Sequence, residues 1–486
     1  MPPMLEDMSR EELEAYSLKL WYENENFKKA LFGAKSERHE SIHPDAQQLA
    51  LELGETAAEQ VEVVEEQQVS YTRKKTVKKE KKKAVRKPLP SHLERRVTVI
   101  EPSEETEGLV QIGTEVTEEL EYQPGKLYVN RYERPKYAKG NGDGILIGSL
   151  PNRPIEKGIP GPGLLAHLVV SKYVDHLPLY RQAKMFRREG VELALSTLDE
   201  WVMRSATLLE PLYEALKKQV LSSGYIMADE TPLPVLDQHK KKQTHRGYFW
   251  VYYSPEHRMV LFDYHPGRGK VAAQKTLSEY QGYLQTDGYK AYDEYEHKAG
   301  ITLLACMAHA RRKFVEAQHN DPDRANHVLN ELQKLYAVEK QAREKEYSVA
   351  QRYTLRQKRA VKVMEDLYEW LIENRPQVLK QSPIGKAIDY TLGRWHLLKR
   401  YLDEGRVEID NNLVENQIRP VALGRKNYLF AGSHSAAQKA AMIYSLVGSC
   451  EKNGVNPADY LRAVIERINE HHINQIQELL PQNINL

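Results

Sequence analysis

Apolar positions along this chain follow two periods, and each predicts a different kind of element. Between residues 164 and 222 they recur three and four apart: Leu179, Tyr180, Ala183 and Phe186 share one face, Leu198, Trp201 and Val202 a second, and Leu208, Leu212 and Leu216 another. That spacing predicts helices, broken at Gly190, with Ser196 able to cap the helix after it. From residue 224 the period changes. Short apolar runs at 224–236 (GYIMADETPLPVL), 248–253, 259–264, 282–289 (GYLQTDGY) and 300–306 read as strands, with helices over 270–280 and 307–318. Three strands joined by short turns, a crossover helix and then further strands describe an α/β layout with a mixed sheet. Pro232 and Pro234 are expected to end the first strand. Residues 315–403 return to the helical period, as in Val328, Leu332, Leu335 and Tyr336, and predict an all-helical insertion. Beyond it, Asp410 or Asn411 can cap a short helix that Pro420 is expected to close, and a helical tail fills 447–486.

The N-terminal third is patterned more weakly. Residues 9–32 read as a helix with Leu13, Leu20, Phe27 and Leu31 at coiled-coil spacing, which suits self-association and packing within the chain equally. An acidic stretch at 51–68 gives way to a basic run at 73–87 ending at Pro88 and Pro90, so 51–91 is a charged linker whose basic part can meet phosphate backbones or simply be solvated. Alternation such as Leu127 to Tyr132 predicts a small β module over 92–138, followed by a loop over 139–163. The helices of 164–222 have the outline of a DNA-reading helix-turn-helix, with Arg181, Lys184, Arg187, Arg188 and Arg204 available to phosphates; a plain helical hairpin has the same outline.

At 486 residues the chain is long enough for two or three domains. Lys and Arg number 70 against 68 Asp and Glu, so overall charge is silent about partners and only local clusters inform. Two cysteines, Cys306 and Cys450, exclude a disulfide framework and suit a reducing, cytoplasmic setting. No run of about 18 apolar residues is present, so no membrane partner is expected.

Three acids stand out by position. Asp229 interrupts the first strand, Asp287 ends the fourth, and Glu415 lies on the short helix after the insertion. Phosphodiester chemistry activates one oxygen and stabilises another in line across phosphorus, and two divalent ions about 3.5–4 Å apart supply both functions. Such hard ions take oxygen ligands, so three converging carboxylates are a sufficient cage for Mg²⁺, with Mn²⁺ as a substitute. Taken singly, each acid also has a structural reading, as turn former or helix-surface partner of Arg419. Glu230 competes with Asp229 for the ligand role, because strand alternation turns only one of them toward the site. Arg311, Arg312 and Lys313, with Arg419, Arg425 and Lys426, are candidate clamps on a DNA backbone. Cys306 and His309 are spaced like half a zinc site for which the sequence offers no second half, which favours packing or positioning roles. Trp395 can stack on a flipped base, or belong to the core.

The segments ADETPLPVL, GYLQTDGYKAYD, CMAHARRKF, EIDNNLVENQIRPVALGRKNYLFAGS and NGVNPADYL, together with LFGAKSER near the N-terminus, resemble those of bacterial transposases of the insertion sequence 66 family. The resemblance runs from about residue 113 to the C-terminus. It implies a ribonuclease H-like core over 223–314 and 404–446, interrupted by the helical insertion, with Asp229, Asp287 and Glu415 as the DDE triad. It further implies cutting of the element's DNA ends and joining of the freed 3′-hydroxyl to target DNA with Mg²⁺, by an oligomer on DNA that small accessory proteins of the same element can assist. One departure is plain: the family's cysteine-rich zinc segment corresponds here to residues 112–140, which contain no cysteine. A non-catalytic repressor derived from a transposase, and a hydrolytic nuclease of the same fold, are the alternatives.

Overall fold

The computed structural model describes residues 125, 127–138, 145–147, 151, 153–156, 158–236 and 244–486. The expected N-terminal helix and charged linker lie outside them. The chain divides into units at 1–123 and 124–486, and all the described residues belong to the second. Strands β1 (Lys136–Ala138) and β2 (Ile145–Ile147) form an antiparallel pair. The strand expected at 127–132 is not formed: these residues have no regular structure and are exposed. Alternation holds a strand only when one face is covered, and here neither is.

Four helices follow, α1 (Pro162–Tyr173), α2 (Leu179–Arg188), α3 (Leu195–Leu208) and α4 (Glu210–Leu221). They bury the apolar faces read from the sequence, including Phe186, Leu198, Trp201, Leu212 and Leu216. Gly190 turns the chain between α2 and α3 with φ of +83°.

Five strands build one mixed sheet: β3 (Tyr225–Leu236), β4 (Thr244–Ser254), β5 (Met259–His265), β6 (Gly282–Thr286) and β7 (Ile301–Ala305), in the order β5-β4-β3-β6-β7. The first three are antiparallel neighbours, whereas β3–β6 and β6–β7 are parallel. Helix α5 (Lys270–Thr276) makes the crossover to β6. β3 runs through both prolines, correcting the expectation that they end it. Its pairing with β6 stops at Ala228–Thr286, and beyond that point the strand keeps only β4 on one side. Pro234 O and Leu236 N face away from β4, toward Ala431, so the N–H groups that Pro232 and Pro234 lack belong to the unpaired side and no β4 ladder bond is lost.

The outer edge of β5 is covered by α12 (His434–Lys452). Ser445 Oγ accepts from Phe262 N at 2.8 Å and Ser449 Oγ from Val260 N at 3.0 Å, so two serines one helical turn apart satisfy edge donors. A Cβ on Gly448 would meet Val260 Cγ1 at 2.7 Å, and glycine is what permits this approach. Helix α13 (Pro457–Arg467) closes the chain against α1.

Between β7 and the last helices come α6 (Met307–Ala317), α7 (Pro322–Glu344), α8 (Val349–Asn374), α9 (Pro383–Gly393), α10 (Trp395–Leu398) and α11 (Asn412–Tyr428). Pro420 lies inside α11 rather than closing it. Trp395 is half-buried against Tyr368, with ring centroids 5.3 Å apart. Arg356 is wholly buried. It pairs with both oxygens of Glu339 at 2.8 Å and donates to the carbonyls of Tyr401, Glu404 and Val407 at 2.6–2.8 Å. Arg352 joins Glu339 to Glu408. The helices are thereby locked onto the segment that returns to the sheet. Burial alone raises the Glu339 pKa, but the two guanidiniums outweigh it and hold the carboxyl below its ordinary value.

Arg356→Ala removes one of the two guanidiniums on buried Glu339 and the donor to three carbonyls, and is expected to cost about 3–5 kcal/mol, read as a lowered midpoint of urea unfolding at pH 7. A depressed carboxyl contributes stability above its unfolded pKa, about 4.3, and loses it as pH falls through the lower folded value. The gap between wild type and variant is therefore expected to narrow under acid.

Candidate active site

The parallel register of β3 and β6 sets the geometry. Ala228 pairs with Thr286, so the next residues are Asp229, within β3, and Asp287, just past the carboxyl end of β6. Glu415 enters from the first turn of α11. Asp287 and Glu415 are both close enough to act on Asp229: burial pushes the Asp229 carboxyl well above its usual range, and the charges of Asp287, Glu415 and Glu230 push it further. Asp229 Oδ1 accepts from Glu230 N at 2.7 Å, and Asp287 Oδ1 accepts from Tyr289 N at 2.8 Å.

Glu230 takes a different partner. Its side chain is 1% exposed, and Oε1 accepts from Arg268 Nε at 2.9 Å and Nη2 at 2.6 Å. Arg268 in turn lies over the Tyr289 ring, 4.1 Å from its centroid. Burial, then the nearby Asp287 charge, outweigh this guanidinium and push Glu230 up to about 7. Asp287 thus sits within electrostatic reach of both residues of the Asp229–Glu230 pair, but Glu230 is tied off by an arginine. Arg268 escapes sequence reasoning; its setting in HPGRGK, flanked by glycines near the strand ends, is the signal that could have found it.

What carries Glu415 to the strand ends is the segment from Glu408 to Asn411. Tyr225 Oη is hydrogen-bonded to Gln285 and accepts from Glu408 N at 3.0 Å, Gln285 Nε2 donates to Glu408 O at 3.0 Å, and Met307 N donates to Ile409 O at 3.2 Å. Asn411 then donates from Nδ2 to Ala228 O and from its backbone N to Cys306 Sγ, both at 3.2 Å. The segment is thus tied to β3 and β6 at Glu408, to the start of α6 at Ile409, and to β3 again at Asn411. Asn411 occupies the N-cap position of α11 without a side-chain cap bond, because its amide is engaged with the sheet. The insertion also supports the second acid: Tyr390 Oη donates to Asp287 O at 3.2 Å and Arg394 Nη2 to Gly288 O at 2.7 Å. Gly288 has φ of +88°, and a Cβ there would meet Arg394 Nε at 2.6 Å.

The cations named from the sequence divide. Arg425 is hydrogen-bonded to Thr231 Oγ1 at 3.0 Å and to the Pro232 carbonyl, so it fastens α11 to β3. Arg419 lines a cavity of about 250 Å³ with Tyr173, His176 and Leu423. Arg311, Arg312 and Lys313 are partly exposed on α6, Lys313 pairing with Glu316 at 3.4 Å, and Lys426 is exposed on α11. The sequence offers no second half for the Cys306–His309 pair, but the fold brings a carboxylate to it from beyond the insertion: donor atoms of Cys306, His309 and Glu415 all lie within 4.8 Å of one another.

Comparison with known proteins agrees in extent. Residues 157–439 match the Transposase IS66 family, 19–98 the family described as Transposase C of IS166 homeodomain, and 445–482 the IS66 C-terminal element. Similar proteins include the uncharacterized protein y4jD of Sinorhizobium fredii, 33% identical with 97% of this chain and 96% of that one covered. Another is the uncharacterized protein y4qI of the same organism, 35% identical over 82% of this chain and 77% of its own length. No solved structure matches. Since one family spans more than half of the sequence, together with the sheet and the acids it carries, the chain belongs to the IS66 family of transposases.

Proposed function

We propose that this chain is a DDE transposase that cuts DNA at the ends of its insertion sequence and joins the freed 3′-hydroxyl to target DNA, with a ribonuclease H-like core. The observation that carries the reading is the placing of Asp229 and Asp287 next to paired residues of parallel strands, with Asp287 and Glu415 both within electrostatic reach of Asp229. The strand order supports the fold assignment: counted along the chain, the five strands lie third, second, first, fourth, fifth, with one acid on the first and one just past the fourth.

The site suits Mg²⁺. Its donors are all carboxylate oxygens, and the Asp229 carboxyl, raised first by burial and then by the charges of Asp287, Glu415 and Glu230, stands among negative charges that a divalent cation offsets. Asp229, Asp287 and Glu415 would hold the metal, and what bound divalent ions supply is Lewis acidity at the attacking and leaving oxygens. The protein's own part is alignment. The Tyr289 N–H orients Asp287, Asn411 fixes the start of the Glu415 helix, and Arg311, Arg312, Lys313 and Lys426, on the two helices α6 and α11, offer positive charge to a DNA backbone. The attacking group is a water hydroxyl in cutting and the DNA 3′-hydroxyl in joining; in each case the displaced oxygen leaves with the electrons of the broken P–O bond.

Incubating the protein with labelled end DNA, a target plasmid and Mg²⁺ is expected to give joined product; cut product alone indicates a nuclease, and a shifted but intact band a repressor. Asp229→Asn, Asp287→Asn and Glu415→Gln are each expected to reduce cutting to background while leaving the band shift. Glu230→Gln is expected to retain cutting, and equal loss in that variant assigns the first ligand to Glu230.

Metal and pH are linked. Because the Asp229 carboxyl is raised by folding, its contribution without metal is favourable below the unfolded pKa and is lost as pH rises through the folded value. Binding of Mg²⁺ requires the ionised form. Saturating Mg²⁺, at about 100 times Kd, is therefore expected to add roughly 2.7 kcal/mol at pH 8, to add progressively less toward pH 5, and to add little to Asp229→Asn, measured by thermal unfolding.

A further inference from the structure

We propose that Cys306, His309 and Glu415 form a second metal site, for a zinc-class transition ion, adjoining the aspartates and sharing Glu415 with them. The sharing rests on the reading of Glu415 as a triad acid; the ion site itself rests on its own donors.

A thiol, an imidazole and a carboxylate have donor atoms that all lie within 4.8 Å of one another. Ligands of a tetrahedral zinc ion, at about 2.0–2.3 Å from the metal, lie roughly 3.3–3.8 Å apart. Small side-chain rotations of His309 and Glu415 close that difference. The Cys-x-x-His spacing explains why two of the donors share a side: Cys306 is the N-cap of α6 and His309 lies three residues on, above it on the helix face. Glu415 approaches from α11, already 3.9 Å from His309 Nδ1 through Oε1. His309 Nδ1 is buried and makes no hydrogen bond, an arrangement that costs free energy unless something accepts its lone pair or its proton. Cys306 Sγ already accepts from Asn411 N, the kind of outer contact that steadies a thiolate ligand.

The donor set decides the ion. Asp229 and Asp287 offer only oxygen, which suits Mg²⁺, whereas sulfur and imidazole nitrogen favour Zn²⁺ or Co²⁺ and discriminate against Mg²⁺. Binding exchanges the thiol proton for the metal, with the proton released to solvent. Three protein ligands leave a fourth position for water, as in open zinc sites. An ion held there draws Glu415 toward α6, so zinc-class and Mg²⁺ occupancy compete for one carboxylate.

Co²⁺ titration of the full chain, followed by absorption, tests the site without any DNA reaction. Wild type is expected to show a thiolate-to-cobalt charge-transfer band with the intense visible bands of a four-coordinate ion. Cys450→Ser, which removes the only other thiol, and Asp229→Asn are expected to keep both. Cys306→Ser is expected to lose the charge-transfer band, and His309→Gln and Glu415→Gln to weaken binding by on the order of 10–100-fold or more. Absence of the band in wild type, its survival in Cys306→Ser, or wild-type affinity in His309→Gln overturns the proposal. The two histidine and glutamate variants retain the buried thiol, so the test stands even if Cys306→Ser folds poorly. Undiminished DNA cutting by Asp229→Asn would sink the transposase mechanism and leave the cobalt result untouched.

Discussion

Carboxylates repel, so a fold that gathers three of them must hold them by other means. Here the holding interaction is the return of the chain over the sheet at Glu408 to Asn411. Asn411 is bound at once to β3, at Ala228 where its pairing with β6 stops, and to Cys306, the residue that follows β7. With that crossing made, α11 starts where Glu415 faces the aspartates; without it, Glu415 has no fixed relation to the sheet. Everything upstream serves the crossing. Glu339, Arg352 and Arg356 clamp α7 and α8 onto residues 401–408, and Tyr225 with Gln285 anchors Glu408 to two strands. The buried ions of the insertion and the acids of the site thus belong to one mechanical chain.

Much of this was legible in the sequence because periodicity is local. The five strands, the crossover helix and the helical stripes each declare themselves within a dozen residues, and the parallel neighbours β3 and β6 bring Asp229 beside Asp287 once their register is set. What escaped was whatever depends on which side of an element a neighbour lies. Pro232 and Pro234 look like strand breakers until their missing N–H groups turn out to face the side where β6 has ended. Pro420 is tolerated within α11, though helix propensity alone places a stop there. The alternation at 127–132 resembles a strand but has no covering face.

Side-chain roles were the hardest to read. Arg425 looks like a cation offered to DNA, yet its hydrogen bonds to Thr231 and Pro232 make it a fastener between α11 and β3. Glu230 and Asp229 are indistinguishable as letters, and Arg268, 38 residues along, separates them by binding only one. Cys306 and His309 look like half a motif because their third donor lies on the far side of the insertion. Each of these needs tertiary contacts that no window of sequence contains.

The hydrogen bonds from Tyr390 and Arg394 to the backbone at Asp287 and Gly288 tie the insertion to the turn after β6. They make the last part of the insertion a lever whose short arm rests on the turn of the second acid. The position of the second acid's turn is thus set by helices distant in sequence as well as by the strand that precedes it.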